Sequence, residues 1–229
     1  TTTNSIKHTP DSDTEEYGIY VQNEMTWENY ENFEVIAGLR YDHYSLSSTN
    51  DADYKNTMDG RGKTDAPANI DDSSLNPHLS LLYKLTPELT AYGKYSKAFR
   101  APTYAEVNNA HGNIFHGYYV LNNPDLKSET SDNYEVGIKG DYPKLDFSLV
   151  SFISKIDDKI DGYKSITTPG AGNDCIAITG RPCDALQHQN LDEAEIWGLE
   201  WTSEYNFNEN KEGFSIIGSV AYTYGDDTS

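Results

Sequence analysis

The residues best equipped for chemistry are two histidines, His111 and His116, in the stretch FRAPTYAEVNNAHGNIFHGYYVLNNPDLKSET over 99–130. A neutral imidazole nitrogen binds firmly yet is displaced by protonation or exchange, so a histidine on an exposed loop suits reversible capture. Gly112 and Gly117 follow the two histidines and permit close backbone approach. Tyr118 and Tyr119 come next and offer flat faces for packing. Arg100 and Lys127 flank the stretch with positive charge, and Pro102 and Pro124 stiffen its two exits. Neither end reads as a helix cap, and the middle is too rich in Gly and Asn for a strand. The expectation is therefore an irregular loop held by elements on either side.

Those elements alternate in polarity rather than showing a helical stripe. EYGIYVQNEMTW (16–27) places Tyr17, Ile19, Val21 and Met25 on one face and Gly18, Tyr20, Gln22 and Glu24 on the other. FEVIAGLRYDHY (33–44) places Phe33, Val35, Ala37, Leu39 and Tyr41 together, with Gly38, Arg40 and Asp42 opposite. Segments of the same kind cover 75–85, 88–99, 133–142, 145–156, 195–207 and 214–225. The pattern predicts about eight long strands in four hairpins with tight turns.

The connections between hairpins, 45–74, 100–130 and 157–194, are long and polar. Short turns alternating with long loops are the mark of an outer-membrane β-barrel, whose strands need only about 9–11 residues to span. Trp27, Tyr30, Tyr41, Tyr44, Trp197 and Trp201 sit near strand ends, where aromatic girdles meet the headgroups. Gln22, Glu24, Arg40 and Lys94 fit a wet lumen better than a packed core. A soluble antiparallel sandwich is the competing reading.

Composition narrows the partners. The 229 residues carry 17 Lys+Arg against 37 Asp+Glu, a formal net charge of −20. That balance excludes a phosphate-binding nucleic-acid surface and a polybasic membrane anchor. Eighteen tyrosines are too many for a disordered acidic chain. No apolar run approaches a membrane helix, and the first residues lack the apolar core of a signal peptide. Cys175 and Cys183 are spaced for a local disulfide in an oxidising compartment, with two unpaired thiols as the alternative. There is no GxSxG, no HExxH and no convincing carboxylate pair, so no enzyme is expected.

With the strands in place, FRAPTYAEV (99–107) followed by NNPDLKSETSDNYEVGIKG (122–140) resembles the paired FRAP and NPNL boxes of TonB-dependent outer-membrane haem/haemoglobin receptors. EYGIYVQNEMTW, VIAGLRYDHY and EIWGLEWTSEYNF extend the resemblance in family order. The boxes here are Phe99, Arg100, Ala101 and Pro102, then Asn123, Pro124, Asp125 and Leu126, with Asp125 replacing the usual Asn. The resemblance implies an all-β, antiparallel up-and-down transmembrane barrel of which this is a part, about eight strands of 22. It divides the chain into a polar arm, 1–15, and a partial barrel, 16–229, without the family's plug or TonB box. It implies haem as transported ligand, free or from haemoglobin or a haemophore, and no catalytic cofactor. Partners would be the TonB–ExbB–ExbD complex and outer-membrane lipid or lipopolysaccharide. His116 matches the family's loop histidine first and His111 second; Tyr118 and Tyr119 would pack on the porphyrin, and Arg100 would pair with propionates unless Glu106 holds it. A ferric-siderophore receptor, which would not need His116, and an adhesin-like outer-membrane protein are the rival readings.

Overall fold

In the computed structural model, which describes residues 7–51, 54, 66–113, 116–166 and 180–227, eight long strands form one antiparallel meander. They are β1 (Asp11–Thr26), β2 (Phe33–Thr49), β3 (Ile70–Lys84), β4 (Leu89–Arg100), β7 (Glu129–Asp141), β8 (Leu145–Ile166), β9 (Asp184–Asn206) and β10 (Ser215–Asp227). The connection after β4 holds one short helix, α1 (Tyr104–Asn108), and two short strands, β5 (His111–Asn113) and β6 (Tyr118–Leu121). Each long strand pairs with its sequence neighbour, and β4 pairs directly with β7. The up-and-down order expected from the sequence is the order found.

The four turns at one end close by local hydrogen bonds. Tyr142 and Leu145 exchange both backbone bonds around Pro143–Lys144, at 3.0 and 3.3 Å. The Thr86 hydroxyl accepts from Glu88 N and Leu89 N, at 3.3 and 3.1 Å. The longest turn uses Gly213 at φ +99°, a conformation open to glycine at no steric cost.

Register separates the two faces. Ile19, Leu39, Leu79, Tyr95, Val136, Leu149, Leu199 and Val220 share one face, while Gln22, Arg40, Lys94, Glu135 and Glu200 share the other. On the apolar face Ile19 is 70% and Val21 67% exposed. An unbroken apolar band of this size on a sheet is a lipid-facing surface. Aromatic pairs bound it on both sides: Tyr95 with Tyr134 at 5.2 Å and Trp197 with Tyr224 at 6.0 Å towards the loops, Trp27 with Phe33 at 6.0 Å towards the turns. Tyr44 departs from the expected girdle, because it lies on the polar face and is buried under the loops. His43 stacks on Tyr17 at 4.7 Å near the outer girdle. His78 lies across the lumen face of Gly38, where a Cβ would come within 2.0 Å of its ring.

The strands run further than alternation foretold. β1 starts at Asp11, inside the segment read as an arm, and β8 and β9 continue to Ile166 and from Asp184, through segments read as loop. Twenty-two residues at about 3.3 Å each make β8 roughly 70 Å long, more than twice the membrane's hydrocarbon thickness. Beyond the outer girdle both faces are wet, so polarity no longer alternates although the ladder persists. Pro77 has no N–H to give, and the β3–β4 ladder ends beside it at His78↔Ser96 while β2–β3 continues to Leu46↔Ile70. The wall parts there, where the connection after β4 folds in.

The face assignment has a direct test. Val21→Arg, near the middle of the lipid-facing band, is expected to lower stability in vesicles by about 2–4 kcal/mol. Gln22→Arg, one residue on and facing the lumen, is expected to cost well under half of that. Equal costs in denaturant unfolding would reverse the assignment.

Candidate functional site

The connection between β4 and β7 is folded, not loose. Thr103 caps α1: its hydroxyl accepts from Glu106 N at 3.3 Å, and its own N–H donates to Glu106 Oε2 at 2.8 Å. This is the capping box, and its signature, Thr103-x-x-Glu106, stands in the sequence. The expectation of no cap is therefore corrected. So is the expectation of no strand: His111–Asn113 pairs antiparallel with Tyr118–Leu121, which adds in parallel to Asp184–Gln187 of β9. The edge of β9 that β10 leaves open, ahead of Ala194, supplies the unpaired backbone groups that override the low strand propensity of Gly and Asn.

Both sequence boxes fasten this connection to the barrel. Pro102 is fully buried and its carbonyl accepts from the Tyr44 hydroxyl at 3.0 Å. Val107 and Leu126, from the two ends of the connection, pack with Tyr44, Leu46, Ala68 and Ile160, with Phe99 and Ala101 alongside. The Asn123 side chain accepts from Asp125 N at 3.0 Å, turning the chain at Pro124, and donates to His188 O at 2.8 Å. Asn108, fully buried, donates to Ser48 Oγ and Ala68 O, both at 2.9 Å, and accepts from Ala68 N at 2.7 Å. Sequence reading did not single out Asn108 or Asn122; a buried Asn has no signature until the segments it stitches are known.

Arg100 is the charged clasp. Its guanidinium donates to both Glu129 oxygens, at 2.6 and 2.8 Å, and to Glu106 at 3.0 Å. It thereby ties α1 to the wall at β7, and Glu129 also accepts from Ile160 N on β8. Burial, the largest single influence, pushes both carboxyls up, but hydrogen bonds and charge attraction from Arg100, joined by bonds from Thr103 to Glu106 and from Ile160 N to Glu129, together outweigh it and leave each below its ordinary value. Arg100 is correspondingly raised, chiefly by its bonds to Glu129. A guanidinium so engaged is a fastening, and the Glu106 partnership weighed for it is present. Lys127 reaches Asp158 at 3.2 Å.

The remaining candidates divide by burial. His116 is exposed at the tip of the β5–β6 hairpin, and Gly117 turns the chain back at φ +81°. Tyr118 is half-buried beside His111, ring centroids 6.0 Å apart. Tyr119 is buried with Leu121, Cys183 and Ala185, so its ring is part of the packing. His111 Nδ1 lies 3.2 Å from Asn109 Oδ1, and Asn109 donates to the Tyr163 hydroxyl at 2.6 Å. Tyr163 in turn lies 4.3 Å from the ring of His188. The bridge expected between Cys175 and Cys183 involves Cys175, which lies outside the described residues.

The family described as TonB dependent receptor-like, beta-barrel, matches residues 1–229. The chain belongs to that family. Its members are outer-membrane proteins of Gram-negative bacteria, and that is the compartment of this receptor barrel. Haemoglobin-haptoglobin utilization protein B of Neisseria meningitidis serogroup A is 28% identical over 188 residues, 77% of this chain and 22% of that protein. Among solved structures, the copper transporter OprC superposes with a TM-score of 0.66 at 20% identity, over 96% of this chain and 30% of that one. The haemophore receptor HasR of Serratia marcescens, in complex with HasA and haem, gives 0.66 at 18% identity, over 87% and 33%. The chain spans under a quarter of the length of the first of these relatives. At such identities the solved structures share the fold.

In this receptor barrel the clasp is pH-sensitive in one direction. A carboxyl whose folded pKa is depressed stabilises above its ordinary value and loses that contribution as pH falls through the folded value. The clasp is therefore complete above about pH 4.5 and released in more acid solution. Arg100→Gln is expected to speed amide exchange of Tyr104–Asn108 at pH 7 by severalfold, on the order of 1 kcal/mol. Unchanged protection in that variant would show that the apolar contacts of Val107 and Leu126 hold the helix alone.

Proposed function

We propose that this chain carries the outer-face capture loop of a TonB-dependent receptor for haem, taken free or from a haemoprotein. The carrying observation is His116, exposed at the tip of a hairpin that lies between two sequence boxes anchored by buried Pro102 and Leu126. An imidazole there lies outside both buried clusters and faces the exterior, and it suits an axial ligand of haem iron. His111 at the hairpin base is the second ligand candidate, and the exposed edge of Tyr118 the packing surface. Arg100 and Tyr119 leave the set of residues proposed to touch haem, since one clasps two carboxylates and the other is buried.

The names of the relatives support haem: one is a haemoglobin-haptoglobin utilization protein, and a structural neighbour was solved with a haemophore and haem. The copper transporter among the neighbours shows that the same fold serves other cargo, so a ferric-siderophore or metal receptor is the reading to test against. Energy would come from the TonB complex acting on a part of the receptor outside this chain, and the function proposed is non-enzymatic. A Cys175–Cys183 bridge would brace the segment preceding β9; non-reducing peptide mapping should recover the two cysteines linked, and two alkylatable thiols would refute it.

The deciding measurement is haemin binding to the natural protein in detergent, followed in the Soret band. The His116→Ala, His111→Ala double variant is expected to lose the ligand-field shift and bind at least tenfold more weakly. Spectra and affinity equal to those of the unaltered protein would sink the histidine-ligand assignment. Growth on haem as sole iron source tests uptake itself, and failure with correct insertion would favour an adhesive role.

A further inference from the structure

A cavity of about 710 Å³ opens where β3 and β4 part, at the foot of α1. Its lining runs from Gly18, Arg40, Asp42 and Asn76 on the lumen wall to Lys97 and Thr103 at the start of the capture loop. Sites for small organic molecules commonly enclose about 300–1,000 Å³. His116, His111 and Tyr118 lie outside this lining.

The guanidinium in the cavity is held in place from behind. Ser74 Oγ donates to Asn76 Oδ1 at 2.8 Å, and the buried Asn76 donates to Asp42 Oδ2 at 2.9 Å. Asp42 then accepts from Arg40 Nε at 2.8 and 2.9 Å, with Nη2 at 2.7 Å from Oδ1. The guanidinium lies over Gly18, where a Cβ would come within 2.5 Å of Nη2. Glycine at 18 therefore makes the room in which Arg40 lies flat. Nη1 has no hydrogen bond among the described residues, so the fork keeps donors for a ligand.

Lys97 completes the cavity with an ammonium of another kind. It follows Ser96, the last β4 residue paired to β3, and it is half-buried. Among the described residues it makes no ion pair or hydrogen bond, in a chain of net charge −20. A part-buried ammonium without a contacting counter-charge carries a desolvation cost that a bound anion offsets. The acidic residues on hand do not fill that role: Asp42 is taken by Arg40 and Asn76, and Glu16 lies exposed on β1. Arg100, also in the lining, is spent on Glu106 and Glu129.

We propose that this cavity is an anion subsite in which Arg40 Nη1 and Lys97 Nζ take a carboxylate of a small organic cargo. A planar guanidinium suits a carboxylate, and the ammonium adds a mobile point charge beside it. The subsite deepens the capture function proposed above and rests on it for the cargo. The carboxylate belongs either to a haem propionate or to a free iron chelate.

The natural protein in detergent is titrated with haemin and with haemin dimethyl ester, whose propionates are masked while the iron is unchanged. Haemin is expected to bind about tenfold more tightly than the ester. In Arg40→Gln and in Lys97→Gln the two affinities should converge, with the Soret maximum of bound haemin unmoved. Lys97→Gln breaks no bond of the fold, so its loss is not a misfolding effect. Lys94→Gln, on the same strand outside the lining, should keep the full ratio. Ferric citrate, followed by quenching of tryptophan fluorescence, probes the free chelate. Ferric citrate binding that weakens about tenfold in both cavity variants, with no preference for haemin over its ester, keeps the subsite and assigns it to a chelate instead of haem. A haemin preference that survives in both cavity variants overturns the subsite and leaves haem capture standing. Convergence in Lys94→Gln as well overturns it too, marking the charge of the whole lumen wall. So does equal binding of haemin and ester together with ferric citrate binding that neither cavity variant changes.

Discussion

In a bilayer no water is present to satisfy backbone N–H and C=O groups, so every one of them must be paired within the protein. The whole architecture follows from that demand. Neighbouring strands pair from the turns outward, for β8 and β9 from Leu145↔Tyr205 to Ile166↔Ala185 with one register shift between Asp161 and Tyr163, in the part beyond the girdle. Once the ladder is fixed, side chains have only two directions. Those towards lipid are Ile, Val, Leu and the girdle aromatics; those towards the lumen are Arg40, Glu135 and Glu200, which would be untenable on the other side. The Arg40–Asp42 pair, with Asn76 donating to Asp42 at 2.9 Å, shows how the lumen face treats charge, by local pairing on the wall.

The same ladder, carried past the membrane, makes a scaffold for the outer loop. A long connection in water has little to pack on and remains costly to order. Here the extended walls of β2 and β8 offer Leu46 and Ile160, so Val107 and Leu126 can bury themselves against a surface that already exists. Polar stitches follow the apolar contacts. Asn108, Asn123 and Arg100 each span segments distant in sequence, and each has at least one partner that a long strand holds in place: Ser48, His188 and Glu129. Order in the loop is therefore borrowed from the barrel.

How much of this could be read in the sequence depended on where one face was dry. Within the lipid band alternation located all eight long strands, to within a few residues at the turn ends, since Pro143 and Thr86–Pro87 punctuate sharply. Above the girdle both faces are wet, the period disappears, and the outer parts of β8 and β9 read as loop. The capping box at Thr103–Glu106 was legible and was passed over because a five-residue helix has no periodicity to announce it. β5 and β6 were not legible at all, because their strand character comes from the open edge of β9. Arg100 was visible as a charge and Glu106 as its partner, but Glu129, its directly opposed neighbour on β7, emerges only from the register. The meeting of Arg40 with Lys97 at one cavity depends on the whole fold, and no local pattern carries it.

Burial also explains how conserving the frame and changing the cargo can be separate problems in such a loop. Pro102, Val107, Leu126 and Asn108 are buried, so any substitution there disturbs packing or strands a polar group, costs that commonly reach a few kcal/mol. His116 makes no contribution to either buried cluster, and replacing it leaves both apolar clusters and the Arg100 clasp intact. The residue at the tip can therefore change while the anchors are kept, because the anchors are built from other residues. On the function proposed above, haem capture rests on His116, exposed at the tip, with half-buried His111 and Tyr118 beside it. The boxes on either side act by holding those side chains at the mouth.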